Sequence, residues 1–293
     1  MSFSSWIINN LGQIRISRTT RKPTHNFSRK IFNIILPHKT HLKSNLKSIL
    51  ILQQHNYKRS FVILEMKKIA VTSLGGSLII PKEVNYAFLA KFRKTLRKHY
   101  KTHKFVVVCG GGSIARTYIS ALERQGKSIK QQSLAGIRAT RVNAKFMMQF
   151  FGEEANDSLP ENMKEVKALL AKNKVVFCGA LRYAPKETTD GTAAKLAKYL
   201  KTDFINISDM PCLYTSNPKT NKDAKPISAI SWKDFEKKAR GIKYKPGQHY
   251  ILDQNASKII RRYKIKTYLI GPKLKNLTKI LKNKPFKGTI IQG

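Results

Sequence analysis

Acidic residues are scarce in this chain of 293 residues: 16 Asp and Glu stand against 57 Lys and Arg, a formal net charge of +41. Such a field attracts anions in general. The bases are mostly Lys, spread through every segment, whereas a nucleic-acid binder gathers Arg and aromatics on one face. The charge therefore argues against specific nucleic-acid binding and for a basic surface that serves phosphorylated small substrates. Cysteine is also sparse. Cys109, Cys178 and Cys212 are widely spaced and form no Cys-x-x-Cys pair, which excludes a disulfide scaffold and a zinc site and suits a reducing cytoplasm. Long apolar runs are missing: Lys47 to Gln53 and Phe105 to Cys109 fall well short of the roughly 20 residues that span a bilayer. With 41% hydrophobic residues, 16 Gly and 11 Pro, the chain is neither collagen-like nor broadly disordered, and it is long enough for one large domain or two small ones.

Residues 1–65 lack acids almost entirely, holding eleven Lys or Arg, four of the seven His and one acid, Glu65. They show no clear periodicity. A basic N-terminal extension of this kind reads either as a targeting leader or, preferred here, as residues appended by an upstream start, disordered or foreign to the fold. From Met66 onward strands alternate with helices. Strands are expected at 69–74, 104–109, 175–178, 203–207 and 266–270, and helices at 83–100, 164–172, 190–200, 232–239 and 254–263, with another helix following Gly112. Strand, glycine turn, helix units imply an α/β fold, a three-layer αβα sandwich with a mainly parallel central sheet. The Pro- and Lys-rich stretch 217–227 is expected to begin a second half.

Ligands of such sheets sit beyond the carboxyl ends of the strands, where glycines admit close backbone approach and helix N-termini offer unpaired N–H groups. Gly75-Gly76-Ser77 follows the first strand and Gly110-Gly111-Gly112-Ser113 the second. Neither matches a dinucleotide fingerprint or a P-loop. Two such turns at the same level, with Arg116 one helical turn into the second helix, read as paired cradles for a polyphosphate. Thr188-Thr189-Asp190 opens another helix; it is either a simple N-cap or a further phosphate site with a carboxylate beside it.

These elements, in this order, resemble the amino acid kinase family, and within it the archaeal-type branch that acts on UMP. The likeness spans residues 66–293. It includes Gly136-Ile-Arg-Ala-Thr-Arg-Val-Asn143-Ala, Thr188-Thr-Asp-Gly-Thr-Ala-Ala, Leu252-Asp253-Gln-Asn-Ala-Ser-Lys258-Ile-Ile and the closing Lys287-Gly-Thr-Ile-Ile291. The resemblance implies transfer of the ATP γ-phosphoryl to UMP, with Mg²⁺ carried on ATP, by a cytoplasmic homo-oligomer, a hexamer in the family. It places a monophosphate side up to about residue 200 and an ATP side after it. Catalytic roles fall to Asp190, Asp253 and Arg116. ATP would meet Gly75, Gly76, Ser77, Gly112, Arg116, Ser208, Tyr214 and Asn217, and UMP would meet Gly111, Ser133, Ala180, Thr188 and Thr189.

Several positions depart from the pattern. A Lys that some members carry in the first strand is Ser73 here, so Lys82, Lys195 or Lys258 is expected to supply the cation. An Asp that grips the UMP ribose is Ser133, the loop after Cys178 is about three residues longer, and the Asn-Val-Asp-Gly-Val-Tyr turn over the base becomes Asp209-Met-Pro-Cys-Leu-Tyr214. These changes keep open a kinase for another small phosphate or carboxylate, or a degenerate nucleotide-sensing subunit.

Overall fold

The computed structural model describes residues 14–19, 61–185, 187–218, 220–241 and 252–293. The chain divides into two compact units, Met1–Met66 and Lys67–Gly293. In the first, β1 (Ile14–Thr19) pairs antiparallel with β2 (Phe61–Met66), Ile14 lying opposite Met66. The rest of the expected N-terminal extension lies outside the described residues.

The second unit is built on a seven-stranded sheet. Its strands are β3 (Lys68–Leu74), β4 (His103–Cys109), β5 (Val175–Cys178), β6 (Phe204–Ile207), β9 (Ala229–Ile230), β10 (Thr267–Ile270) and β11 (Thr289–Ile291). The spatial order is β5-β4-β3-β6-β10-β11-β9, parallel from β5 to β10. β11 runs antiparallel to β10 and carries β9 parallel to itself. A short separate ribbon pairs β7 (Leu213–Tyr214) with β8 (Pro226–Ile227), the latter at the end of the Pro- and Lys-rich stretch.

Side chains alternate across the sheet. Phe105, Val107 and Cys109 face one core with Leu74, Phe177 and Ile207, while Val106 and Val108 face the other with Val71, Val176 and Phe204. The first core is covered by α2 (Tyr86–Arg97), α4 (Ile129–Phe151) and α9 (Lys275–Leu281), through Phe92, Met147 and Leu277. The second is covered by α5 (Met163–Lys172), α6 (Thr189–Leu200), α7 (Trp232–Arg240) and α8 (Gln254–Arg262), through Val166, Leu196, Phe235 and Ile260. Because helices lie on both faces, the central strands are apolar almost throughout. Two further helices, α1 (Gly76–Ile79) and α3 (Gly112–Arg124), begin inside the two glycine turns. Helix starts follow local chemistry: Asn85, Ser128, Asn162, Thr188, Ser231 and Asp253 each accept a bond from a first-turn backbone N–H, and Ser128 forms a full capping box with Gln131.

Candidate active site

The carboxyl ends of β3, β4, β5 and β6 lie together, and the ladder continues past them. The Gly75 amide donates to Ile207 O at 2.8 Å, Gly110 to Leu74 O at 2.9 Å and Ser208 to Ile270 O at 3.0 Å. The two glycine turns touch backbone to backbone. A Cβ on Gly76 would stand 2.0 Å from the Gly112 nitrogen, and one on Gly110 would stand 2.4 Å from the Gly76 nitrogen. Gly112 also has φ +62°, a conformation L side chains resist. Among the described residues the amides of Gly76, Gly111 and Gly112 make no hydrogen bond to protein, which leaves them to an anion.

A cleft of about 290 Å³ opens above these turns. Gly75, Gly76, Ser77, Gly111, Gly112, Arg116, Ser133, Ala180, Thr188, Thr189, Asp190, Ser208, Tyr214 and Asn217 all line it. The long helix α4 ties its walls together. Asn143, buried, donates to Gly110 O at 2.7 Å, Thr140 Oγ1 accepts from the Ala180 amide at 3.0 Å, and Arg141 donates to the carbonyls of Ala180 and Leu181. The Ala-Thr-Arg-Val-Asn stretch thus joins the second glycine turn to the loop after β5. The same helix turns Ser133, Gly136, Ile137 and Thr140 toward the cleft.

Asp190, in the first turn of α6, occupies the cleft floor. Its Oδ1 accepts from Ser73 Oγ at 2.7 Å and from Asn206 Nδ2 at 2.9 Å. Burial first, and the Asp253 carboxylate after it, push the carboxyl up to about 7, against the bonds from Ser73, Asn206 and Thr188 that favour the charged form. Asp253, expected among the catalytic groups, does not line the cleft. Its Oδ1 caps α8 at the Ala256 amide (2.7 Å), while Oδ2 accepts from the Thr188 amide (2.8 Å), the Thr188 hydroxyl (2.7 Å) and the Gly191 amide (3.2 Å). It stands behind Thr188 and holds the start of α6.

Among the described residues, the basic side chains that line the cleft are Arg116 and Arg182. Arg116 lies along the first turn, donating to Pro81 O at 3.2 Å and to Ser77 Oγ at 3.5 Å. None of Lys82, Lys195 and Lys258 lines the cleft; Lys82 and Lys258 are exposed, and Lys195 pairs with Glu187 at 2.5 Å. Burial raises the Glu187 carboxyl against the pull of that lysine. Arg182 and Glu187 fall within the span 180–189 that the resemblance gives to UMP, whereas Asn206 is not singled out in the sequence. Asn206 left a trace there, as the polar residue inside the buried strand Phe204-Ile-Asn-Ile.

The family model for the amino acid kinase family matches residues 68–271, which hold every side chain just described. The chain belongs to the amino acid kinase family. Among its relatives in that family, the uridylate kinase of Methanococcus aeolicus is 35% identical over 225 residues, covering 75% of this chain and 98% of the relative. That of Thermococcus kodakarensis is 31% identical over 224 residues, covering 76% and 98%. The crystal structure of uridylate kinase from Archaeoglobus fulgidus superposes with a TM-score of 0.65 at 32% identity, over 77% of this chain and all of that one. The UMP kinase structure from Bacillus anthracis, at 19% identity and a TM-score of 0.62, shares the amino acid kinase fold.

Proposed function

We propose that this enzyme transfers the γ-phosphoryl group of ATP to UMP, giving UDP and ADP, a step of pyrimidine nucleotide synthesis. The observation that carries the reading is the fused pair of glycine turns, with three amides left to anions, in a chain 31–35% identical over most of its length to relatives named uridylate kinase. The acceptor phosphate is itself the nucleophile, so no covalent intermediate is required; the protein must hold two anions in line and offset their repulsion.

In this reading Gly76 and Gly112 carry ATP phosphates with Arg116 beside them, and Ser208, Tyr214 and Asn217 hold the nucleoside. Gly111, Ser133, Ala180, Thr188 and Thr189 receive UMP. Asp190 touches the reacting groups, and Asp253 acts through Thr188. Mg²⁺ enters as part of the ATP substrate, because two arginines cannot neutralise both polyphosphate and acceptor in register. The buried free thiols Cys109, Cys178 and Cys212 suit a reducing cytoplasm. Exposed Tyr118, Ile129 and Val142 on α3 and α4 support assembly with further copies of the chain. Among the described residues no helix is long and apolar enough to cross a membrane.

The test is ADP release in a coupled assay against UMP, CMP, AMP and GMP. A rate that needs Mg²⁺ and is highest with UMP is expected. No monophosphate raising ADP release above the ATP-only blank would overturn the kinase reading in favour of a sensing subunit.

A further inference from the structure

Asp190 is held in an unusual way for a carboxylate that meets substrate. Two donors, the Ser73 hydroxyl at 2.7 Å and the Asn206 amide at 2.9 Å, converge on one oxygen, Oδ1. They come from adjacent strands of the sheet, Ser73 lying directly opposite Asn206 in the β3–β6 register. Both are fully buried, at 2% and 3% exposure. The other oxygen, Oδ2, receives neither of these two bonds; Thr188 is the remaining side chain that acts on the carboxyl, and Asp190 lines the cleft.

A second observation concerns the Asn206 amide. Its carbonyl oxygen is buried and has no partner among the described residues. Turning the amide over would set that oxygen against Oδ1 of Asp190, acceptor against acceptor. The side chain therefore keeps a costly unpaired acceptor in order to donate to Asp190.

We propose that Ser73 and Asn206 are positioning residues for phosphoryl transfer: by donating to the same oxygen of Asp190 they fix its rotation and present Oδ2 to the bound phosphates. The role rests on the kinase reading above. It also gives Ser73 a function where relatives with a lysine at that strand position would place a cation. A hydroxyl and an amide set the carboxylate's direction without neutralising it.

The clamp is separable from simple packing by what it does to titration. Hydrogen bonds to a carboxylate favour its ionised form, so removing either donor moves Asp190 to still higher pH. The other charged groups around it stay in place in such variants: Asp253 at the head of α8, the Glu187–Lys195 pair, and Arg116 and Arg182 on the cleft.

The experiment is steady-state kinetics of Ser73→Ala and Asn206→Ala from pH 5.5 to 9, in the wild-type and Asp190→Asn backgrounds. In the wild-type background each substitution is expected to lower kcat about tenfold, to leave KM for UMP and ATP within about threefold, and to move the ascending limb of the kcat profile up by about one pH unit. In the Asp190→Asn background the same substitutions should change kcat by less than about twofold, because their effect passes through the carboxylate. Equal losses in both backgrounds, or an unmoved pH limb, would overturn the clamp. Should Asn206→Ala fold poorly, Ser73→Ala decides alone, since a methyl replaces a hydroxyl in a strand. Wild-type UDP formation with both variants at wild-type kcat would overturn this role and leave the kinase reading standing. No UDP from the wild type would overturn that reading and this role with it.

Discussion

Asp190 and Asp253 share a residue type and a neighbourhood, and their surroundings assign them different work. Asp190 titrates near 7 in the fold against about 3.9 for a free Asp, so the fold favours its neutral form. Its contribution to stability is therefore present in full below about pH 4 and is lost as pH rises through about 7. Asp190→Asn fixes the neutral form and keeps an oxygen for Ser73 and Asn206. It should melt with the wild type at pH 4 and higher than it at pH 8, by on the order of 1–2 kcal/mol once water entering the cleft is allowed for, while turnover falls at least tenfold. Thermal melts at the two pH values with a kinetic assay check both halves; a variant less stable than wild type at pH 8 would contradict the assignment. Asp253→Asn should do the reverse. Its new amide N–H₂ would face the donors of Thr188 and Gly191, costing about 2–3 kcal/mol, with lost turnover following from a loosened α6.

At the scale of elements, the strands were legible because burial on both faces leaves unbroken apolar runs, and the helix starts because Asn, Ser, Thr and Asp caps stand where the apolar period begins. The glycine turns were legible for the same local reason. Which strands stand side by side was not. Ser73 meets Asn206 only because β6 inserts beside β3, and Asp253 meets Thr188 across 65 residues; neither pairing leaves a periodic or compositional mark. That none of Lys82, Lys195 and Lys258 lines the cleft was illegible for the same reason, since a lysine's reach is set by the fold and not by its motif. The contact between the turns yields a sharp mutational contrast. Gly76→Ala would drive a Cβ into the Gly112 backbone and should cost several kcal/mol and abolish ATP binding. Gly126→Ala, with φ +67° but nothing within 4 Å, should cost about 1 kcal/mol and leave kinetics unchanged. Denaturant midpoints and nucleotide titrations of the two variants check this.

For the molecule as a whole, the excess of 57 bases over 16 acids is felt mainly by what approaches it. Several acids are spent internally: Glu154 lies between Arg93 and Arg97, Glu236 between Arg240 and Arg261, and Glu187 against Lys195. The surface is left strongly positive, a field that concentrates nucleotides near the cleft and is screened beyond about 8 Å at physiological salt. Raising salt from about 0.05 to about 0.5 M should therefore lower kcat/KM for UMP several-fold while kcat changes less than twofold. A kcat that falls in step with kcat/KM would place the salt effect on the chemistry instead.

The ladder that runs past the strand ends also sets the tempo at which different parts of the cleft can open. The amides of Gly75, Gly110 and Ser208 are already tied to the neighbouring strand or loop, so their deuterium uptake should be slow in the empty enzyme and change little when nucleotide arrives. Gly76, Gly111 and Gly112, a residue or two away, have no such tie, and their uptake should fall sharply on adding ATP and UMP. Exchange read amide by amide would then show slow and fast sites interleaved along a single turn. A lid that closed over a mobile floor would instead slow the whole turn together, so the pattern of exchange distinguishes a floor built before the substrates come from one assembled around them.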